Sequence, residues 1–206
     1  NTLQTMQILV KPAGYVDVSS DAWYYEAVNY VTAKCLMIGT DANVFSPNMN
    51  LTRGQMVTIL YRMASSPEVT GGSPYTDVAE NRYFSQAVAW AAEQGIATGY
   101  PDGTFKPSGK ITGYEVLAMI LRAVGYDKNG EFSGADWALH VAQTAQQAGV
   151  LKNVKGVDLN APATRELVSE LLFQSIQVPM VTYTAAFGYQ NVGLNEKADN
   201  KIFAKN

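Results

Sequence analysis

The sequence predicts an all-α fold of three helix-loop-helix repeats packed around one shared centre. Three observations carry this: a segment that recurs without a gap sixty residues later, apolar residues spaced four apart, and a helix-capping signature at the same place in each copy.

The first copy starts at Tyr15 and the second at Tyr75. Their alignment pairs Asp17 with Asp77, Trp23 with Tyr83, Gly39 with Gly99, Phe45 with Phe105, Pro47 with Pro107 and Thr52 with Thr112. A more diverged third copy starts near Phe132, with Trp137 at the place of Trp23 and Gly149 at that of Cys35 and Gly95. It lacks the Phe-x-Pro element, and its loop is two residues shorter.

Within each copy the first helix gathers Trp23, Ala27 and Val31, with Tyr24 and Val28 beside them, on one face; Tyr83, Ala87 and Ala91 repeat this. It should end at Gly95 and Gly149, because glycine accepts the left-handed backbone common just past a helix end. Cys35 holds that place in the first copy under mild strain or with a different cap. A loop rich in Gly, Asp, Asn and Pro follows, with Phe45 or Phe105 to anchor it on the core. Ordered loops of about a dozen residues usually have a function.

The second helix opens on Thr52 with Gln55 three residues on, and on Thr112 with Glu115, so hydroxyl and acid or amide can cap each other reciprocally. Thr164 has Leu167 at that place, so only its hydroxyl can cap. The helices continue through Val57, Leu60 and Tyr61, through Leu117, Ile120 and Leu121, and through Val168, Leu171 and Leu172. One such hairpin cannot bury its own apolar face. The repeats therefore form a single domain over residues 15–178, with modules at about 15–65, 75–125 and 132–178. Residues 1–14 are an N-terminal extension. Residues 179–206 are a tail outside the repeats, either a linker or an extended segment packing on the domain.

Of the 206 residues 47% are hydrophobic and only 16% charged, which excludes a disordered chain. The net charge of −3 leaves no basic surplus for phosphates, so nucleic acid is not an expected partner. With 12 Tyr and 3 Trp, the low-charge surface suits a neutral or weakly anionic polyhydroxylated ligand such as a glycan, although a plain low-charge domain has the same statistics. No stretch approaches the roughly 20 apolar residues of a membrane span. The start lacks the basic end and apolar core of a signal peptide, as in a mature chain or an excised fragment. A single cysteine gives neither an internal disulfide nor a zinc cluster.

Arg53 and Arg165 each follow a capping Thr at the first helical position, where the helix dipole disfavours a cation. Either they present a pocket for an external carboxylate or phosphate, or they pair with Asp17, Asp77 or another local acid. Gly113 stands there in the second copy, so its pocket should be weaker. Trp23, Tyr83 and Trp137 either stack on a sugar or belong to the core. Asp17 and Asp77 are read as turn-organising residues rather than paired catalytic acids. His140 has no nucleophile at useful spacing, Cys35 reads as an incidental buried thiol, and the loop at Asp102 lacks the ligands of a calcium site. No catalytic residue, metal or cofactor is expected.

Together these units resemble S-layer homology modules, which occur in threes. The resemblance rests on Tyr15-Val16-Asp17-Val18 and Tyr75-Thr76-Asp77-Val78, on the aromatic-led first helix and the Phe-x-Pro loop, and on Leu51-Thr52-Arg53-Gly54-Gln55, Ile111-Thr112-Gly113-Tyr114-Glu115 and Ala163-Thr164-Arg165-Glu166-Leu167. It implies a pseudo-threefold, monomeric domain with one helix per module in a central three-helix bundle and three prongs. It also implies an extracellular anchor in the cell wall or S-layer of a bacterium, binding a secondary cell wall polysaccharide through pyruvylated N-acetylmannosamine.

By the same resemblance Arg53, Arg165, Thr52, Thr112 and Thr164 contact the anion or sugar, with Gln55, Glu115, Asp17 and Asp77 from the same motifs. Trp23, Tyr83 and Trp137 line the grooves, and Gly39 and Gly99 let backbone approach the sugar. The alternative is an interaction or self-assembly module on the same scaffold, with other surface-layer proteins as partners.

Overall fold

The computed structural model describes residues 14–192; the rest of the expected N-terminal extension and the tail beyond 192 lie outside the described residues. Six helices follow in order: α1 (Tyr25–Ala33), α2 (Arg53–Met63), α3 (Ser85–Glu93), α4 (Gly113–Ala123), α5 (Trp137–Ala148) and α6 (Arg165–Ser175). Two strands close the described chain, β1 (Val181–Thr184) and β2 (Gly188–Asn191).

Helix ends follow the local chemistry. At α2 and α4 the full reciprocal box forms: Thr52 accepts from the Gln55 amide while Gln55 accepts from the Thr52 amide, and Thr112 and Glu115 do the same. Thr164 accepts from the Leu167 amide alone. Just past the first helices, Cys35, Gly95 and Gly149 have φ of 55°, 67° and 85°. Cys35 is therefore a non-glycine residue in the left-handed region, a mildly strained conformation. Its thiol is exposed, which corrects the expectation of a buried one.

The first helices start later than their apolar pattern implies. Trp23 and Tyr83 precede α1 and α3 and stand 42% and 65% exposed, whereas the neighbouring Phe84 is buried. The core-facing residues are Ala27, Val28 and Val31 in α1 and Ala87, Val88 and Ala91 in α3.

Helix pairs form across repeats. α1 packs on α6, α2 on α3, and α4 on α5, with a further contact between α4 and α6. The two helices of one repeat are thus not each other's main partner. The connections over residues 34–52, 94–112 and 149–164 let the second helix swing away and take the first helix of the next repeat. α2, α4 and α6 are buried on most sides and α1 and α5 on one face, which puts the former at the centre.

Residues just before the central helices tie the chain into a ring. The Leu51 N–H donates to the Ala163 carbonyl, the Ala163 N–H to Ile111, and the Ile111 N–H to Leu51, at 3.0, 2.7 and 3.3 Å. Leu51, Ile111 and Ala163 are themselves buried beside the fully buried Phe45 and Phe105. Each Phe contributes on the order of 2–3 kcal/mol by leaving water.

The tail departs from the all-α expectation. β1 and β2 pair antiparallel from Val181 with Asn191 to Thr184 with Gly188, and the Val181 N–H donates to the Val124 carbonyl. A side chain at Gly125 would collide with the Val181 carbonyl, so this close crossing depends on that glycine. Tyr189 donates to the Glu131 carboxylate (2.8 Å) and accepts from the Lys128 amide (2.7 Å). Burial, reinforced by Glu131, pushes the Tyr189 hydroxyl up to about 12. Up to residue 192 the tail is therefore a packed hairpin rather than a free linker.

Candidate functional site

The loops between helices are held by the acids that sequence reading assigned to turns. Asp17 accepts from the Phe45 and Ser46 amides at 2.8 and 2.7 Å, and Asp77 from Phe105 and Lys106 at 2.7 and 2.8 Å. Ser46 and Lys106 sit at φ of 57° and 56°, so each Asp stabilises the same unusual turn. Both carboxylates are committed to backbone amides, as turn-organising acids are.

Gly39 and Gly99 also serve the loops. A Cβ on Gly39 would come within 2.8 Å of the Tyr15 ring, and one on Gly99 would strike the Tyr75 ring. The close approach these glycines permit is to the protein's own tyrosines. Tyr15 and Tyr75 in turn pack against Phe45 and Phe105, each pair with ring centroids 5.3 Å apart.

Arg53 and Arg165 are 5% and 8% exposed. Each reaches from its own helix start into the loop of a neighbouring repeat. Arg53 donates through Nε to the Phe105 carbonyl (3.0 Å) and through Nη2 to Thr98 (2.9 Å). Arg165 donates through Nε to Phe45 (2.7 Å) and through Nη2 to Ile38 (2.6 Å). The guanidinium groups also lie over the Phe105 and Phe45 rings, at 4.7 and 4.3 Å from the centroids. The adverse position at the helix start is thus offset by two carbonyls and a ring face.

Neither arginine pairs with Asp17 or Asp77. Arg53 meets Glu115 of the second repeat at 3.4 Å, whereas among the described residues no carboxylate lies at ion-pair distance from Arg165. Burial pulls the Arg165 pKa down, against a weaker upward pull from Tyr15 and Asp17, yet the group remains a cation at neutral pH.

Beside each arginine opens a groove. One has a cavity of about 180 Å³ lined by Arg53, Gly99, Tyr100, Glu115, Arg122 and Trp137 among others. The other, about 260 Å³, is lined at the equivalent places by Arg165, Gly39, Thr40, Gln55, Arg62 and Tyr83. Cation, glycine, capping residue, second arginine and aromatic recur position for position. Trp137 is half-buried against Tyr114, and Tyr83 stands edge-on to Phe84.

Of the residues singled out from sequence, Arg53, Glu115, Gly99 and Trp137 converge in one groove, and Arg165, Gln55, Gly39 and Tyr83 in the other. Thr52, Thr112 and Thr164 are occupied as helix caps and do not line either cavity, nor do Asp17, Asp77 and Trp23. Sequence reading missed Arg62 and Arg122. Each lies ten residues after its capping Thr, so the alignment that paired Thr52 with Thr112 also pairs them.

Two stretches, residues 14–57 and 74–117, match the S-layer homology domain. A cell surface protein of Thermoanaerobacter kivui is 29% identical over 82% of this chain and 22% of its own length. An S-layer protein of Bacillus thuringiensis subsp. finitimus is 25% identical over 55% of the chain and 14% of its own length. A cellulosome-anchoring protein of Acetivibrio thermocellus is 26% identical over 59% and 27%. The chain spans less than a third of the length of each of these relatives.

Proposed function

We propose that this chain is a non-catalytic wall-anchoring module that binds a secondary cell wall polysaccharide, with pyruvylated N-acetylmannosamine seated in the grooves between neighbouring repeats. The recurrence of arginine, aromatic and glycine in two grooves carries the reading. A hydrophobic core needs no such polar repetition, whereas a repeating polymer rewards it. An aromatic face suits a sugar ring, and arginine suits a ketal carboxylate.

The two S-layer homology domains and the cell-surface relatives indicate an extracellular location, in the cell wall or S-layer of a bacterium. Among the described residues no helix is long and apolar enough to cross a membrane, and attachment through a wall polymer requires none. We read residues 132–178 as a third module and the arrangement as pseudo-threefold about the Leu51, Ile111 and Ala163 ring, within one monomeric domain over residues 15–178. The ring of hydrogen bonds and the cyclic order of helix packing support this.

Co-sedimentation of the purified chain with bacterial walls, before and after chemical removal of pyruvate, tests the function. Binding should be strong to native walls and fall at least tenfold after the treatment. Undiminished binding would overturn the assigned ligand. Binding that instead requires another surface-layer protein would favour the self-assembly alternative.

A further inference from the structure

The two grooves match in position but differ in charge. In the groove of Arg53, both cations have a carboxylate of their own. Arg53 meets Glu115 at 3.4 Å, and Arg122 donates through Nε to Asp127 at 2.6 Å. In the groove of Arg165, Gln55 replaces Glu115, and the lining includes no acid. Arg165 donates to two carbonyls and Arg62 donates through Nη1 to the Leu36 carbonyl at 3.1 Å, so among the described residues dipoles meet both charges and no carboxylate pairs with either. Arg62 is also exposed, whereas its counterpart Arg122 is half-buried.

At the third junction the pattern is reversed. Gly113 stands in place of the buried arginine, Leu167 in place of Gln55 or Glu115, and Gln174 in place of Arg62 or Arg122. Glu170, 2% exposed, lies one turn before Gln174 and accepts from its Nε2 at 2.7 Å. Among the described residues no cation pairs with this buried acid, and such a group disfavours an anion.

We propose that the grooves divide the ligand by charge. The groove of Arg165, Arg62, Gln55 and Tyr83 takes the carboxylate-bearing sugar, the groove of Arg53, Glu115, Arg122 and Trp137 takes an uncharged sugar, and the third junction takes no anion. This rests on the wall-anchoring reading and deepens it. Arg62 is the accessible contact for the carboxylate, and the buried Arg165 supplies a second positive charge behind it. A carboxylate entering the Trp137 groove would have to displace Glu115 or lie beside it.

Exchanging the residues at positions 55 and 115 tests the division. Gln55→Glu and Glu115→Gln each install what the other groove already holds, and either residue completes the capping box, so both variants retain the fold. The full chain is titrated with pyruvylated N-acetylmannosamine, and sites are assigned from NMR shifts. The wild type should bind one equivalent, shifting Tyr83 and Gln55 signals. Gln55→Glu should weaken this at least tenfold, and Glu115→Gln should open a second equivalent that shifts Trp137. Two equivalent sites in the wild type, or unchanged affinity in Gln55→Glu, would overturn the proposal. If no wall sugar binds, the anchoring reading fails, and pyruvate ion still decides the charge division: shifts at Gln55 and Tyr83 support it, and shifts at Trp137 overturn it.

Discussion

The three inter-repeat junctions share one backbone pattern and differ in what the side chains add. Arg53 and Gly54 donate their N–H groups to Gly109 and Pro107; Arg165 and Glu166 donate to Met49 and Pro47; Gly113 and Tyr114 donate to Ala161 and Leu159. At the first two junctions an arginine then crosses into the neighbouring loop and a groove opens beside it. At the third, Leu159 fills the space beside Gly113, and α6 carries a buried Glu170. The backbone pattern thus reflects how the chain closes on itself, while chemistry was free to vary at each junction.

Removing an arginine latch should break this comparison most visibly. Arg165→Ala leaves the Phe45 and Ile38 carbonyls without that donor and removes the contact on the Phe45 ring. A loss of roughly 2–5 kcal/mol is expected, read as a lowered midpoint in urea unfolding. A loss under about 1 kcal/mol would mean that water replaces the latch at little cost. In that case burial of these arginines would not be structural.

Gly113→Ala addresses the closed junction. Its new Cβ would lie 2.8 Å from Leu159 Cδ2 and 3.0 Å from Leu159 Cα, and backbone yields less readily than a side-chain tip. Overpacking of this kind costs about 1–3 kcal/mol, so thermal unfolding should shift down by several degrees. At Gly54 the nearest backbone atom, the Pro107 carbonyl oxygen, is also 3.0 Å away, but nothing lies closer and it is the one backbone atom among the three nearest, so Gly54→Ala should cost less. Equal costs would show that the third junction is no tighter than the first.

The smallest difference lies in the caps. Thr52→Ala breaks a reciprocal box and should cost about 1 kcal/mol. Thr164→Ala removes one hydrogen bond of 3.4 Å and should cost roughly half as much by chemical denaturation. A larger cost at Thr164 would mean that a single-sided cap contributes more there than a reciprocal box does at Thr52.

Much of this was legible in the chain. The capping boxes at Thr52 and Thr112, the single-sided cap at Thr164 and the burial of Phe45 and Phe105 all follow from short spacings and repetition. So did the turn-organising role of Asp17 and Asp77, although their amide partners lie 28 and 29 residues away. The aromatics divided. Trp23 and Tyr83 carry an apolar spacing that continues into the helix, but the helix starts two residues later and leaves them exposed.

By itself the sequence determined the repeat, its helices, their caps and the set of residues from which the grooves are made. These depend on local geometry, the 3.6-residue turn and the hydroxyl three residues from an amide, and such spacing is written directly in the chain. Tertiary structure decided which helix packs on which, and that Arg53 and Arg165 serve loops 52 and 120 residues distant. It also decided that Arg62 faces the groove of Arg165 and Arg122 that of Arg53, and that the tail closes as a hairpin on Val124 and Glu131. Periodicity identifies a face of a helix but not what that face meets. The partner is chosen by the path of the loops, and only there do one paired and one unpaired set of arginines become two different grooves.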